Sequence, residues 1–260
     1  MASSVFFLKR ITQACLIMLF LFFSNALISQ DVGEPEKAAV TRSEWTIELF
    51  LNTAGGGLGF QQGWTPDYYN KHFWEINFSY NQNPKAVRTR NIYYENATPY
   101  SYGKLVDLFF FRAGYGYQRI LNHKPYWGGV QVRYTLSGGF SLGMGLPVYL
   151  EVVYYTPDGT SVYKVTERYA PTIHNIDNII GRAAFFEGIL ETQLRPGFYC
   201  KTGLNFDFSD KDMVIHAVEV GATIDMVFPY IQQFAYRKAN PFYLCAYISY
   251  HFGKKKGIYE

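Results

Sequence analysis

Residues Gly128–Val153 read GGVQVRYTLSGGFSLGMGLPVYLEVV. Val130, Val132, Tyr134 and Leu136 alternate with Gln131, Arg133 and Thr135. Further on, Phe140, Leu142, Met144, Leu146, Val148, Leu150 and Val152 alternate with Ser141, Gly143, Gly145 and Glu151. Successive side chains of a strand point to opposite faces, so this stretch has one apolar face and one carrying charge, hydroxyls and glycine. Ser137-Gly138-Gly139 between the two runs suits a tight turn, which predicts a β-hairpin.

The same period recurs on both sides of it. Trp45, Ile47, Leu49 and Leu51 alternate with Thr46, Glu48 and Asn52, and the chain then enters a glycine cluster, Ala54–Gly59. No Lys-Ser/Thr pair and no helical pattern follow, which argues against a phosphate loop, and a crowded or bent wall is expected there. Lys71–Asn81 places Trp74, Ile76, Phe78 and Tyr80 against Glu75, Asn77 and Ser79, and Asp107–Leu121 places Phe109, Phe111, Ala113, Tyr115 and Tyr117 against Arg112 and Gln118. Phe198–Phe208, Val214–Phe228 and Phe242–Phe252 continue the pattern, which gives eight strands with the hairpin counted as two. Val87–Tyr94 paired with Ser161–Val165 would make ten. On the eight-strand reading, 154–197 and 229–241 are outer loops, and 82–104 is a periplasmic connection of awkward length.

Ahead of these strands, Lys9-Arg10 precedes an apolar run, Ala14–Phe23, and then Ser24–Gln30. That is the order of a secretory signal peptide. Cleavage after Ser29 is expected, with cleavage after Ala26 as the alternative, and the apolar core falls short of the roughly 20 residues of a spanning helix. Residues 30–44 read as a polar leader and 254–260 as a basic tail. Between them, 45–253 is expected to form an all-β, antiparallel up-and-down transmembrane barrel in the outer membrane. The composition suits a lipid-facing barrel, with 23 Tyr, 22 Phe and 23 Gly and only 17% charged residues. A net charge of +3 argues against nucleic acid as a partner. Cys200 and Cys245 fall on opposite faces of their strands, which argues against a disulfide between them.

The export signal and the aromatic last strand, Ala246-Tyr247-Ile248-Ser249-Tyr250-His251-Phe252-Gly253, resemble those of small outer-membrane barrels, the Bacteroidetes type in particular. The resemblance implies outer-membrane lipid as surroundings and the barrel-assembly machinery as a partner during biogenesis. The chain departs from it by continuing past Phe252.

The inward phase carries Glu48, Glu75, Arg112, Arg133, Glu151, Lys201, Asp207, Glu219 and Asp225. Charges of both signs in a narrow barrel are expected to pair and fill it, with a thin pore as the alternative. His251 and Ser249 share the inward phase, and His216 sits in the lipid-facing phase. His174 and Asp177 in the longest loop are the candidates for a lipid- or peptide-modifying site, although three-residue spacing is a weak signal. Tyr126 and Trp127, in a connection expected on the outer side, read as an aromatic girdle at the outer interface, with a ligand platform beside Lys124 as the alternative. Nothing in the chain has the Cys/His clustering of a metal centre, and no cofactor is expected. The expected role is a non-enzymatic envelope component that contacts another envelope protein through its long connections.

Overall fold

A computed structural model describes residues 42–67, 69–83, 86–94, 97–122, 129–156, 162–209 and 214–256. Eight antiparallel strands close a barrel: β1 (Arg42–Asn52), β2 (Gly55–Thr65), β3 (Asn70–Asn81), β6 (Val106–Asn122), β7 (Gln131–Pro147), β11 (Gln193–Asp207), β12 (Val214–Val227) and β13 (Phe242–Lys256). Around the barrel the order is β1-β13-β12-β11-β7-β6-β3-β2, so β13 returns to pair with β1 from Ser43↔Lys256 to Asn52↔Tyr247. Closure pairs every wall strand on both sides and leaves no edge. The short strands β4 (Arg88–Thr89) and β5 (Tyr100–Ser101) pair with each other. The strands β8 (Tyr149–Tyr155), β9 (Val162–Arg168) and β10 (Ile179–Arg182) form a separate sheet in the order β10-β8-β9.

The strand total is eight, but two of the expected boundaries are corrected. Gly128–Val153 is not a hairpin. Gln131–Pro147 is one unbroken strand, with Gly138 facing Tyr115 and Gly139 facing Gly114 across the β6 ladder. Neither glycine adopts the left-handed backbone a tight turn would need. The second correction is β2, a full strand that begins in the glycine cluster. Its inward positions are Gly57, Gly59, Gln61 and Gly63, so its inner face carries almost no side chain to register an alternation.

Glycine has the same cause at several points in this wall, which is an aromatic ring lying across the neighbouring strand. Tyr199 of β11 faces Gly139, which faces Gly114, which faces Glu75 of β3. Its ring crosses both glycines and its hydroxyl donates to Glu75 Oε1 at 2.7 Å. Tyr247 lies across Gly221 and Gly203 in the same manner and donates to Glu219 Oε1 at 2.7 Å. A β-carbon on any of these glycines would collide with backbone or with the tyrosine.

Restoring β2 also reassigns the two ends. The connections 66–69, 123–130 and 208–213 lie at the end where β1 begins and β13 finishes, the terminal end. The connections 53–54, 82–105, 148–192 and 228–241 lie at the opposite, far end. The 82–104 segment therefore joins the other long connections and is not a turn on the terminal side. Its Val87–Tyr94 portion contributes only the two-residue β4, and Val162–Val165 belongs to β9 outside the wall, so the ten-strand alternative is excluded. Lys254–Lys256 are not a free tail but the end of β13, paired with β1.

The outward phase holds as read: Leu51, Trp74, Phe140, Leu244 and Ile248 are all exposed on the wall. At the terminal end, His72 stacks with Trp64 and Tyr115, and His216 packs between Phe208 and Tyr250, giving an aromatic belt. Val148, Leu150 and Val152 are corrected from wall to core. They lie past the end of β7, Val148 just before β8 and the other two within it, and are buried with Tyr100, Tyr169 and Ile179 in the far-end extension.

Candidate functional site

Two places gather the chemistry of this chain, the barrel interior and the far-end extension. In the interior, side chains that successive inward positions bring together pair across the lumen. Lys201 Nζ lies 2.8 Å from Glu48, 3.4 Å from Glu219 and 4.0 Å from Glu75, with its charge over the Tyr247 ring at 4.8 Å. Gln61 Nε2 donates to Glu48 and Glu75, and Ser137 donates to Glu75 at 2.6 Å. Thr135 and Asn205 donate to Glu219. Nearer the far end, Arg112 makes a two-point contact with Asp225 at 2.7 and 2.8 Å, and Ser141 donates to the same carboxylate. Nearer the terminal end, Arg133 bridges Glu44 and Asp207 at 3.9 and 3.6 Å, Glu44 also pairs with Lys71, and Lys255 approaches Asp207.

Of the nine residues read from the sequence as interior, eight lie in this network. Glu151 does not, because its strand has left the wall, and it pairs with Lys164 on the extension at 2.7 Å. Glu44, Lys71 and Lys255 belong to the network although sequence reasoning passed over them. Glu44 is two periods before Glu48, and Lys71 two before Glu75, so extending the alternation to the strand ends would have found both.

Buried charges cost several kcal/mol each unless paired and hydrogen-bonded. Here six carboxylates face five Lys or Arg side chains and His251 among the described residues. A residual cavity of about 10 Å³ beside Arg112, Lys201 and Thr223 has room for about one water molecule. Above it Leu108, Phe110, Val227 and Ile231 form a buried apolar layer. The arrangement packs a barrel; it does not line a passage with charge of one sign.

Glu48, Glu219 and His251 offer three metal-type donor atoms within 4.8 Å of one another. The Lys201 ammonium already lies against both carboxylates, so the positive charge they face is the chain's own. Ser249 and His251 are 3.0 Å apart but both are buried inside the closed wall, where a substrate has no approach.

The far-end extension places the remaining candidates. His174 is 1% exposed; its Nδ1 accepts from the Ala170 amide and its Nε2 meets Glu167 at 3.2 Å. Asp177 is exposed and contributes its backbone carbonyl to Asn91. The structure therefore does not bring His174 and Asp177 together as a catalytic pair, since burial turns the imidazole into the sheet. Tyr126 and Trp127 lie outside the described residues; β6 ends at Asn122 and β7 begins at Gln131 at the terminal end, which corrects the outer-side placement expected for the connection. Burial raises the Tyr100 and Tyr169 phenols above their ordinary pKa, in keeping with a dry core under this sheet.

The two edges of the extension sheet are treated differently. On β10, Thr98 exchanges hydrogen bonds with the Arg182 backbone, Asn91 Nδ2 donates to the Ile179 carbonyl at 2.8 Å, and the register is broken between Ile179 and Gly181. On β9, seven consecutive residues pair with β8 with no bulge and no proline, and no backbone partner covers the opposite edge among the described residues. Its polar side chains are turned back into the extension: Lys164 to Glu151, Glu167 to Tyr154 and His174, Arg168 to Glu191. Proteins usually blunt such an edge; this one is held straight and open.

No protein-family model matches the chain, and no curated protein matches it. Among solved structures, the chain is similar to Ail, the attachment invasion locus protein of Yersinia pestis, at 7% identity and a TM-score of 0.37, covering 84% of this chain and 99% of that one. It is similar to neisserial surface protein A at 10% identity and 0.34, over 84% and 96% of the two chains. The N-terminal β-barrel domain of Pseudomonas aeruginosa OprF is similar at 9% identity and 0.34, over 82% and 98%.

Proposed function

We propose that this chain is a non-enzymatic outer-membrane barrel, exported and cleaved after Ser29, that holds an interaction sheet beyond the far-end rim. The belt of outward apolar and aromatic residues on a closed wall supports the membrane setting, and the long connections gathered at one end support an outward-facing platform. The open edge of β9 carries the interaction reading, because a straight, unpaired strand is a template for an extended segment of another envelope protein. The barrel-assembly machinery is a further partner, during biogenesis alone.

A photo-crosslinking residue at Thr166 on the open edge is expected to capture a partner in cells that one at Thr98 on the covered edge does not. Proline at Val165 or at Thr166 removes one backbone N–H, and strand alternation puts one of the two on the open edge. Capture is expected to fall about tenfold or more in at least one of these variants while the barrel keeps its fast unheated gel migration, a loss of about 1.4 kcal/mol or more of binding. Equal capture at both edges, or capture unaffected by either proline, would contradict the interaction reading.

A further inference from the structure

Between β10 and β11 the chain runs along the outside of the far-end rim, and four contacts pin it there. Arg182 pairs with Asp107 on β6. Phe185 packs edge-on against Phe109 at 6.0 Å, and Phe109 is an outward wall residue that also meets Phe78 and Tyr80 of β3. Gly188, at φ 77°, sits against Tyr149 and Pro147 at the upper end of β7, where any side chain would strike the Tyr149 ring. Glu191 accepts from the Tyr149 hydroxyl at 2.7 Å and pairs with Arg168 at 3.6 Å.

The segment is amphipathic. Phe186 lies in the turn ahead of Gly188, Ile189–Glu191 is a single 3-10 turn, and Phe186, Ile189 and Leu190 are all exposed. Glu187 and Glu191 alternate with them in sequence, and Glu191 is tied to the extension above. Leu190 is 99% exposed and Phe186 72%. In water, four large apolar residues on one short turn would be an unexplained cost. Through Phe185 and Phe109, however, they are continuous with the apolar outer wall, and three residues after Glu191 the outward face of β11 resumes with Leu194.

We infer that the 185–190 turn lies in the outer leaflet, with Phe186, Ile189 and Leu190 at the boundary between headgroups and acyl chains. This rests on the membrane reading of the barrel. The turn would act as a float that sets the height of the extension sheet over the bilayer, since the Glu191 contacts to Tyr149 and Arg168 join the two.

The test is spin labelling of the refolded mature chain in dimyristoylphosphatidylcholine vesicles, in a Cys200→Ser, Cys245→Ala background. Nitroxides are placed singly at Leu190→Cys, at Ile248→Cys on the mid-wall and at Ile92→Cys on an exposed extension loop. Molecular oxygen concentrates in the bilayer and a water-soluble nickel chelate stays outside it. Position 190 is expected to follow 248, with collision by oxygen exceeding that by nickel severalfold, while 92 shows the reverse. A lipid signal at 248 with an aqueous signal at 190 would overturn the inference and leave the barrel reading intact. An aqueous signal at 248 would overturn both.

Discussion

Replacing Lys201 with methionine is expected to lower the stability of the folded barrel by about 3–5 kcal/mol, the cost of removing one partner from a buried ion-pair network. The reason is local. Glu48, Glu75 and Glu219 converge on one ammonium at 2.8 to 4.0 Å, and among the described residues no other Lys or Arg is paired with any of the three. Without Lys201 the carboxylates face one another inside a wall that admits almost no water. The variant should unfold at a markedly lower urea concentration, read by the loss of the fast-migrating species on an unheated gel, whereas Lys201→Arg should recover most of the loss. Arg112 and Asp225 provide the converse case. Arg112→Met alone strands a buried carboxylate, while Arg112→Met with Asp225→Leu removes both charges and should be the milder change. An unchanged urea midpoint for Lys201→Met would show that the interior is solvated and that the pairs do not hold the barrel closed.

The second large effect is expected at Gly139. A β-carbon there would collide with the Ala113 carbonyl oxygen and with Gly114 Cα, on the path Tyr199 takes to Glu75. Gly139→Val should therefore cost about 1–3 kcal/mol or more through overpacking. Its neighbour is the control. Gly138 is in the outward phase, and a β-carbon there would meet only the Tyr199 carbonyl oxygen, at 3.2 Å. Gly138→Ala should stay within about 0.5 kcal/mol of the parent. A turn at Ser137–Gly139 would make both substitutions damaging, so equal losses at the two positions would contradict the continuous strand.

That contrast also explains what could be read in the sequence. The period-two pattern located seven of the eight wall strands and put their outward residues on the correct face, because lipid and a filled lumen demand opposite chemistry at alternate positions. Glycine defeated it twice. In Ser137-Gly138-Gly139 the phase never breaks, with Leu136, Phe140 and Leu142 all of one parity. A hairpin need not preserve that parity, so it was the available clue to a single strand. In β2 the inward side chains are missing because Phe50, Lys71 and Asn77 of the flanking strands fill their space, and only Leu58, Phe60 and Trp64 were left to betray it. One strand split and one strand missed cancelled in the count but reversed the ends, which is why 82–104 looked too long for its place.

The interior charges were legible for the same reason as the wall, and Glu151 was lost where β7 gives way to β8 at Val148. The sheet beyond the rim was not legible. Val148, Leu150 and Val152 alternate as a lipid-facing strand would, and only the tertiary cover of Tyr100, Tyr169 and Ile179 distinguishes their burial from a membrane face. His174 and Asp177 are close in sequence, yet the imidazole turns back toward Glu167 near the end of β9 and not toward Asp177.

The most direct test of the membrane-barrel account is labelling with a membrane-impermeant maleimide on intact cells, in a Cys200→Ser background. Ile92→Cys, on the far-end extension, and Val130→Cys, at the terminal end, are compared before and after lysis. The account predicts that position 92 reacts on intact cells and that position 130 reacts only once the outer membrane is opened. Protection of both positions until lysis, or reaction of both without it, would contradict a barrel that spans the outer membrane with its extension outside.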